Sequence, residues 1–427
     1  MNEAKAVPAA GFLDALETRP PGIRETALAE ALPGVVAAAQ RTPAQALSLA
    51  GVDTARIDSR AALATLRVTR KPELLERQKA ARATDPFGGY SAIGWRALRG
   101  LSGAQRVYQS PGPIYEPEGR ARDYWRIARA LAAAGFTAGD LIHNSFSYHL
   151  TPGAWMMESG AQALGCTVFP GGVGNTELQL QAIVDLRPDG YCGTPSFLRI
   201  LLEKAQETGT ALPSLRKALV SGEAFPPSLR DWLAERGIQG YQAYATADVG
   251  LIAYETAARE GLVVDEGVIV EIVRPGTDEP VPDGEVGEVV VTVLQHDYPL
   301  VRFGTGDLSA VLPGACPTGR TNQRIKGWMG RADQTAKVRG MFVHPSQVAD
   351  VLRRHPGIGR ARLVVEGEMA NDRMTLHAET PAPEDHLREA LAASVRDVTK
   401  LRCEVRLVGP GTLPNDGKVI EDARKYA

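Results

Sequence analysis

Leu141-Ile-His-Asn-Ser-Phe146, Cys166-Thr-Val-Phe169, Gly190-Tyr-Cys192 and Lys217-Ala-Leu-Val220 are the four short runs that decide the fold. Each reads as a strand. Between them Trp155 to Leu164, Leu178 to Leu186 and Ser196 to Ala205 carry apolar residues at helical spacing, and Tyr124 to Ala134 reads as a helix ahead of the first run. Strands alternating with helices of about ten residues predict a parallel sheet with crossover helices. In such a sheet the ligand crevice lies beyond the carboxyl ends of the strands.

Working outward, the period changes to two after Gly261. Val268-Ile-Val-Glu-Ile-Val273 and Glu288-Val-Val-Val-Thr-Val293 flank the turn Pro282-Asp-Gly-Glu285, so an antiparallel segment follows the parallel one. Residues 346–427 hold a helix, strand pairs and a second helix at about Glu384 to Val398. The fold class expected is α/β: a large N-terminal domain with parallel and antiparallel sheet over residues 1–330, and a small α+β C-terminal domain over 331–427. Upstream, Ala29 to Ala50 reads as short amphipathic helices joined by turns and Leu74 to Ala83 as another helix. Asp85-Pro-Phe-Gly-Gly-Tyr90 must be loop.

Composition narrows the function. With 427 residues, 44% hydrophobic, 23% charged and a net charge of −2, the chain is globular and has no overall pull toward nucleic acid or anionic membrane. A small-molecule partner fits better. No apolar run approaches a membrane span and the start lacks signal-peptide character, so a cytoplasmic location is expected. Cys166, Cys192, Cys316 and Cys403 show no Cys-x-x-Cys spacing, which favours reduced thiols over a disulfide framework or a zinc site.

Three late stretches carry the chemistry. Pro299-Leu-Val-Arg-Phe-Gly-Thr-Gly-Asp-Leu308 places a carboxylate after a Gly-Thr-Gly turn, where its two acceptor oxygens suit a vicinal diol such as a ribose. Gly330-Arg-Ala-Asp-Gln-Thr-Ala-Lys-Val-Arg-Gly340 lies where the large domain gives way to the small one. Leu413-Pro-Asn-Asp-Gly-Lys-Val419 exposes a lysine on a glycine turn. Taken singly, each reads as an ordinary solvated turn.

In this order and spacing they resemble the late motifs of the adenylate-forming superfamily, and the chain is most similar to its phenylacetate–CoA ligases. Leu66-Arg-Val-Thr-Arg-Lys-Pro-Glu-Leu-Leu75, Asp85-Pro-Phe-Gly-Gly89, Gly193-Thr-Pro-Ser-Phe197 and Ser221-Gly-Glu-Ala-Phe225 extend the likeness from about residue 60 to residue 424. The resemblance implies an ATP-dependent acid–CoA ligase that activates an aromatic, phenylacetate-like carboxylic acid as its acyl-AMP, with ATP, Mg2+ and CoA as cofactors. It implies that Asp307 and Arg331 hold the ribose, Tyr244 stacks on adenine, and Glu223 lines the adenine pocket. Asp248 stands at the magnesium-binding acid. Asp333 becomes the hinge of a mobile small domain, Gly340 lies on the loop guiding the CoA arm, and Lys418 serves the first half-reaction. Tyr148, His149 and Ala243 border the expected acyl pocket, with Trp155 and Phe169 as either pocket or core. The oligomeric state stays open, with a homodimer as the candidate.

Two departures stand out. Where the family carries a Ser/Thr/Gly-rich loop ending in Gly-Lys-Pro, this chain has Tyr108-Gln-Ser-Pro-Gly-Pro-Ile-Tyr-Glu-Pro-Glu-Gly119. Prolines lack N–H donors, no lysine is present, and Glu116 and Glu118 are expected to repel phosphate, leaving Ser110, Gly112 and Gln109 as donors. Ala247 replaces the hydroxyl residue before the acid, with Thr246 as substitute. These departures keep two other readings in view: an adenylating enzyme with a non-CoA acceptor, and a nucleotide-binding homologue without catalysis.

Overall fold

Four of the five parallel strands fall on the four runs whose sequence predicts strands. In the computed structural model, which describes residues 11–93, 103–332, 334–339, 341–367, 372–414 and 418–424, they span Leu141–Asn144, Thr167–Pro170, Gly190–Gly193 and Lys217–Val220. Gln239–Thr246 is the fifth. They pair in the order Thr167–Pro170, Leu141–Asn144, Gly190–Gly193, Lys217–Val220, Gln239–Thr246, parallel throughout. Helices Gly153–Leu164, Thr176–Leu186, Pro195–Glu207 and Pro227–Ala234 make the crossovers. The third of these starts where Thr194 accepts the Phe197 N–H at 3.3 Å and Pro195 follows with its φ preset for a helix.

The chain leaves Leu141–Asn144 for the neighbour on one side and then crosses to Gly190–Gly193 on the other. Strand order reverses there, beyond Asn144 and Gly193, which is the place where sheets of this kind bind their ligands. Past Gln239–Thr246 the same sheet turns antiparallel, through Gly250–Glu255, Leu262–Val264, Arg324–Ile325 and Val311–Leu312.

A second sheet is ordered Thr69–Arg70, Phe303–Ser309, Gly287–Val293, Val268–Val273. Its last two strands pair antiparallel from Val268 opposite Val293 to Val273 opposite Glu288, and nearly every residue is buried, so both faces are covered. Arg302 anchors the strand that follows. Its side chain is fully buried, and its guanidinium donates to Glu271 at 3.0 Å, to the carbonyls of Ala64 (2.8 Å) and Asp278 (3.0 Å), and to that of Leu66.

The N-terminal region differs from expectation. Ala29 to Ala50 is not a string of short helices: one helix runs Pro21–Gln40 straight through Pro33, followed by the single turn Gln45–Ser48. Proline forfeits one helical N–H bond. Leu28, Leu32, Val35, Val36 and Ala39 keep one face buried on both sides of it, against Leu49, Ile57, Leu63 and Val301, and that packing holds the helix together.

The chain forms two compact units, Met1–Thr305 with Ser309–Trp328, and Gly306–Leu308 with Met329–Ala427. The smaller has its own sheet, ordered Glu404–Val408, Arg373–Glu379, Ala361–Glu366, Ile420–Asp422, with helices Pro345–Arg354 and Asp385–Thr399. Leu363, Val365, Leu376, Leu391 and Val395 fill its core. The class is therefore α/β with a smaller α+β part, as the periodicities indicate. Among the described residues no helix is long and apolar enough to cross a membrane.

Helix Gly153–Leu164 lies so close to helix Ile127–Ala133 that a Cβ on Gly160 would stand 2.7 Å from Ile127 Cβ and 2.8 Å from the Ala128 nitrogen. Backbone cannot give way there. Gly160→Val should destabilise the protein by about 1–3 kcal/mol through overpacking, measured as a lower denaturant midpoint at unchanged m; an unchanged midpoint would show that the helices separate freely.

Candidate active site

Parallel pairing sends the carboxyl ends of the parallel strands to one edge, and the stretches after Asn144, Val220 and Ala243 lie along it. At the end of Leu141–Asn144, Asn144 Nδ2 donates to Tyr148 Oη at 2.9 Å and to the Ala154 carbonyl at 3.0 Å. Tyr148 Oη donates in turn to Glu158 at 2.9 Å, and its ring meets Trp155 edge-on with centroids 5.1 Å apart. The guanidinium of Arg106 lies over the Trp155 ring, 4.4 Å from its centroid. Tyr148 is thus a fixed, half-buried wall, while His149 next to it is exposed.

A second histidine on this strand is one that sequence reasoning passed over. Buried His143 makes a 2.8 Å contact from Nε2 to Gln179 Oε1, which also accepts from Ser145 Oγ at 2.8 Å. Gln179 Nε2 donates to the carbonyls of Gly172 (2.8 Å) and Gly174 (2.7 Å), pinning the Pro170-Gly-Gly172 loop. Burial lowers the His143 pKa and keeps the ring neutral. His143 stacks on Phe169 at 5.1 Å, so half-buried Phe169 belongs to this packing.

Further along the edge, Ser221 Oγ donates to the Ala243 carbonyl at 2.7 Å and so fixes the Ser221-Gly-Glu223 turn against the next strand. Glu223 keeps a buried Oε2 without a partner. Ala243 is buried, and Tyr244 sits at a register shift whose bulge turns its side chain, with Oη 3.3 Å from Thr305 Oγ1. Thr246 Oγ1 accepts the Val249 N–H at 3.4 Å and stays within its own turn.

Asp248 ends that turn with 1% of its side chain exposed, and Lys71 Nζ is 2.7 Å from its Oδ2. Lys71 begins helix Lys71–Ala81. Nothing in the sequence spacing joins two residues 177 positions apart. Asp248 Oδ1 is buried without a partner. A single unclaimed carboxylate oxygen in such a place fits a hard cation such as Mg2+, which takes oxygen ligands.

The Tyr108–Gly119 segment is a tight hairpin, strand Arg106–Ser110 against Ile114–Glu118. Its two acids do not face outward as expected of them. Glu118 is held by Arg106 at 3.0 Å and by the Tyr108 hydroxyl, while Glu116 is fully buried and accepts from Ser110 Oγ. Strand alternation puts residues 116 and 118 on one inward face, which explains the difference. Ser110 is buried and already engaged; Gly112 lies exposed in the turn. Burial first, then the nearby Asp248 carboxylate, holds the Glu116 carboxyl well above the usual range.

In the smaller unit Arg331 Nη1 donates to Asp307 Oδ1 at 3.0 Å, and the two residues form an isolated antiparallel bridge. Gly306 has φ +75° and a Cβ there would stand 2.7 Å from the Arg331 guanidinium, so glycine is required beside the pair. Lys418 is exposed. Asp333 and Gly340 lie outside the described residues.

Comparison with known proteins bears on this arrangement. Residues 124–293 match the AMP-binding enzymes and residues 340–423 the AMP-binding enzyme C-terminal domain. Phenylacetate-coenzyme A ligase of Thermus thermophilus is 32% identical over 332 residues, covering 70% of this chain and 75% of that one. The chain belongs to the phenylacetate–CoA ligase family. The ligase of Escherichia coli is 30% identical, with 69% and 72% covered. Among solved structures, 2-hydroxyisobutyryl-CoA ligase with 2-HIB-AMP and CoA matches at a TM-score of 0.79 and 25% identity, over 96% of this chain and 92% of that one. The motifs gave Lys71, His143 and Gln179 no role, and they did not foresee that Glu116 turns inward. Only the conspicuous Arg-Lys-Pro-Glu run around Lys71 could have pointed to any of them.

Glu116 has a raised pKa, so the folded protein retains a proton that the unfolded chain gives up, and its contribution to stability falls as pH rises above the ordinary carboxylate range. Glu116→Gln removes that loss. The variant should gain on the wild type as pH is raised from 4 to 8, read from denaturant midpoints at each pH; parallel curves would show an ordinary carboxyl.

Proposed function

We propose that the protein is an ATP-dependent acid–CoA ligase for an aromatic, phenylacetate-like carboxylic acid. The observation that carries it is the Asp307–Arg331 pair, on a motif whose resemblance implies nucleotide binding, in a chain of the phenylacetate–CoA ligase family. A carboxylate is a poor electrophile, so it first attacks the α-phosphate of ATP and releases pyrophosphate. The acyl-AMP then yields its acyl group to the CoA thiol and AMP leaves.

In this reading Asp307 accepts the ribose hydroxyls, with Arg331 holding its other oxygen and fixing the carboxylate plane. Tyr244 offers its ring to adenine, and the unpartnered Glu223 oxygen takes a donor such as the amino group of adenine. Asp248 holds Mg2+, which when bound supplies positive charge to the phosphate oxygens. The acid enters beyond Asn144, where the Tyr148–Trp155 pair supports a flat ring and Ala243 leaves room for it; exposed His149 lies at the mouth. A lysine amine and a thiol cannot occupy one reacting centre together, so the smaller unit presents them in turn. Asp333 is the proposed hinge, Gly340 serves the CoA step and Lys418 the adenylation.

Acid-dependent ATP–pyrophosphate exchange with Mg2+ over a panel of arylacetic, benzoic and short-chain acids tests the reading. Exchange with an aryl acid and CoA-dependent AMP release are expected. Exchange without any CoA dependence would favour another acceptor, and no exchange with any acid would end the ligase reading. Lys418→Ala should slow adenylation by roughly 10²–10³-fold, the usual effect of losing one donor to a developing anion. Thioester formation from synthetic acyl-AMP should be nearly unchanged; equal loss in both half-reactions would remove the role assigned to Lys418.

A further inference from the structure

The ligase reading gives the acid one wall, the Tyr148–Trp155 pair, and a bound ring needs more than one. The neighbouring strand supplies another. Thr167–Pro170 lies beside Leu141–Asn144 in the sheet, and its carboxyl end runs into Gly171-Gly-Val-Gly174. Asn144 serves both neighbourhoods. Its side chain donates to Tyr148 Oη at 2.9 Å, and its carbonyl accepts the Gly172 N–H at 3.0 Å. The 171–174 loop carries a single side chain, that of Val173, and this residue is 58% exposed. An exposed apolar residue beside a switch point suits an apolar ligand.

Resting on the ligase reading, we propose that the 171–174 loop is a second wall of the acid pocket and that Gln179 is the residue that positions it. Gln179 belongs to helix Thr176–Leu186 and is buried. Its amide is fully used. Nε2 donates to the carbonyls of Gly172 at 2.8 Å and Gly174 at 2.7 Å, one on each side of Val173. Carbonyl oxygens only accept, which fixes the nitrogen end of the amide. Oε1 therefore faces the other way, 2.8 Å from Ser145 Oγ and 2.8 Å from His143 Nε2, and accepts from both.

One buried amide thus joins the end of strand Leu141–Asn144 to the two carbonyls that flank Val173. The approach is close: a Cβ on Gly171 would stand 2.8 Å from both Gln179 Oε1 and His143 Nε2. Glycines on either side of Val173 would otherwise leave that residue loosely placed. With the loop held in advance, the acid meets a preset surface and spends no binding energy on ordering it.

The competing role is structural: Gln179 would merely satisfy buried polar groups. Steady-state kinetics of acid-dependent AMP release, with ATP, Mg2+ and CoA, separates the two in the wild type, Gln179→Glu, Gln179→Met and Val173→Phe. Denaturant midpoints of the same samples report the fold. Gln179→Glu keeps the length and the acceptor oxygen, but it points a second acceptor at two carbonyls and so releases the loop. Gln179→Met releases it as well, at similar volume and without a buried charge. Both should raise KM for the wild type's preferred acid about tenfold and flatten its preference over other acids, with KM for ATP within about twofold. Val173→Phe, at an exposed position, should lower kcat/KM for that acid by about tenfold at an unchanged midpoint, the effect of a misfit in an apolar pocket. An unaltered acid preference in Val173→Phe would overturn the proposal while leaving the ligase reading intact. So would Gln179 variants that lose stability with the two KM values moving together. A wild type that activates no acid would overturn both.

Discussion

The guanidinium of Arg302 is the interaction on which the rest of the larger unit depends. A fully buried positive charge is costly unless every donor finds an acceptor. Here the acceptors come from separate pieces of chain: Glu271 on the valine-rich strand, the carbonyls of Ala64 and Leu66, and that of Asp278 beyond the strand. Fixing Arg302 fixes the start of strand Phe303–Ser309. Thr305, whose Oγ1 lies beside Tyr244, and Asp307 follow on that strand. The Asp307 carboxylate, proposed for the ribose, thus lies on a strand whose start is anchored by a charge buried five residues earlier.

The same economy of buried, paired charge recurs elsewhere. Glu17 gathers Arg129 at 3.0 Å, Arg320, and the Tyr254 hydroxyl at 3.0 Å. Arg24 donates to Glu266 at 2.9 Å. These contacts tie the N-terminal segment to helix Ile127–Ala133 and to the antiparallel part of the large sheet, where apolar packing alone would leave its orientation loose. Breaking one partner of such a pair strands the other and costs about 3–5 kcal/mol. Directional bonds therefore select one arrangement of surfaces that hydrophobic burial would accept in several.

Some of the site could be read residue by residue. The strand runs at Leu141, Gly190 and Lys217 announce themselves because buried parallel strands need short apolar sequences between turns, and the Thr167 run, at the sheet's edge, shares their spacing between helices. Asp307 and Arg331 drew notice only through the resemblance of their motifs to the adenylate-forming enzymes, since each stretch alone reads as an ordinary turn, and the structure pairs the two side chains at 3.0 Å. Glu116 was misread. Its charge suggested a surface facing phosphate, whereas the pleat turns it inward, and a run of prolines gives no hint of which face is which. Pro33 misled in the opposite sense, since its local penalty is outweighed by burial of the helix face around it.

The sequence by itself determined the alternation of strands and helices from Leu141 to Val220 and the division into α/β and α+β parts, which follow from periodicity and local turn chemistry, and its motifs carried the family. Only the tertiary structure decided which charges meet. Lys71 reaches Asp248 and Gln179 joins His143 to two glycine carbonyls through contacts between distant segments. Such meetings depend on how sheets and helices pack, and packing is set by the whole chain at once rather than by any stretch of it.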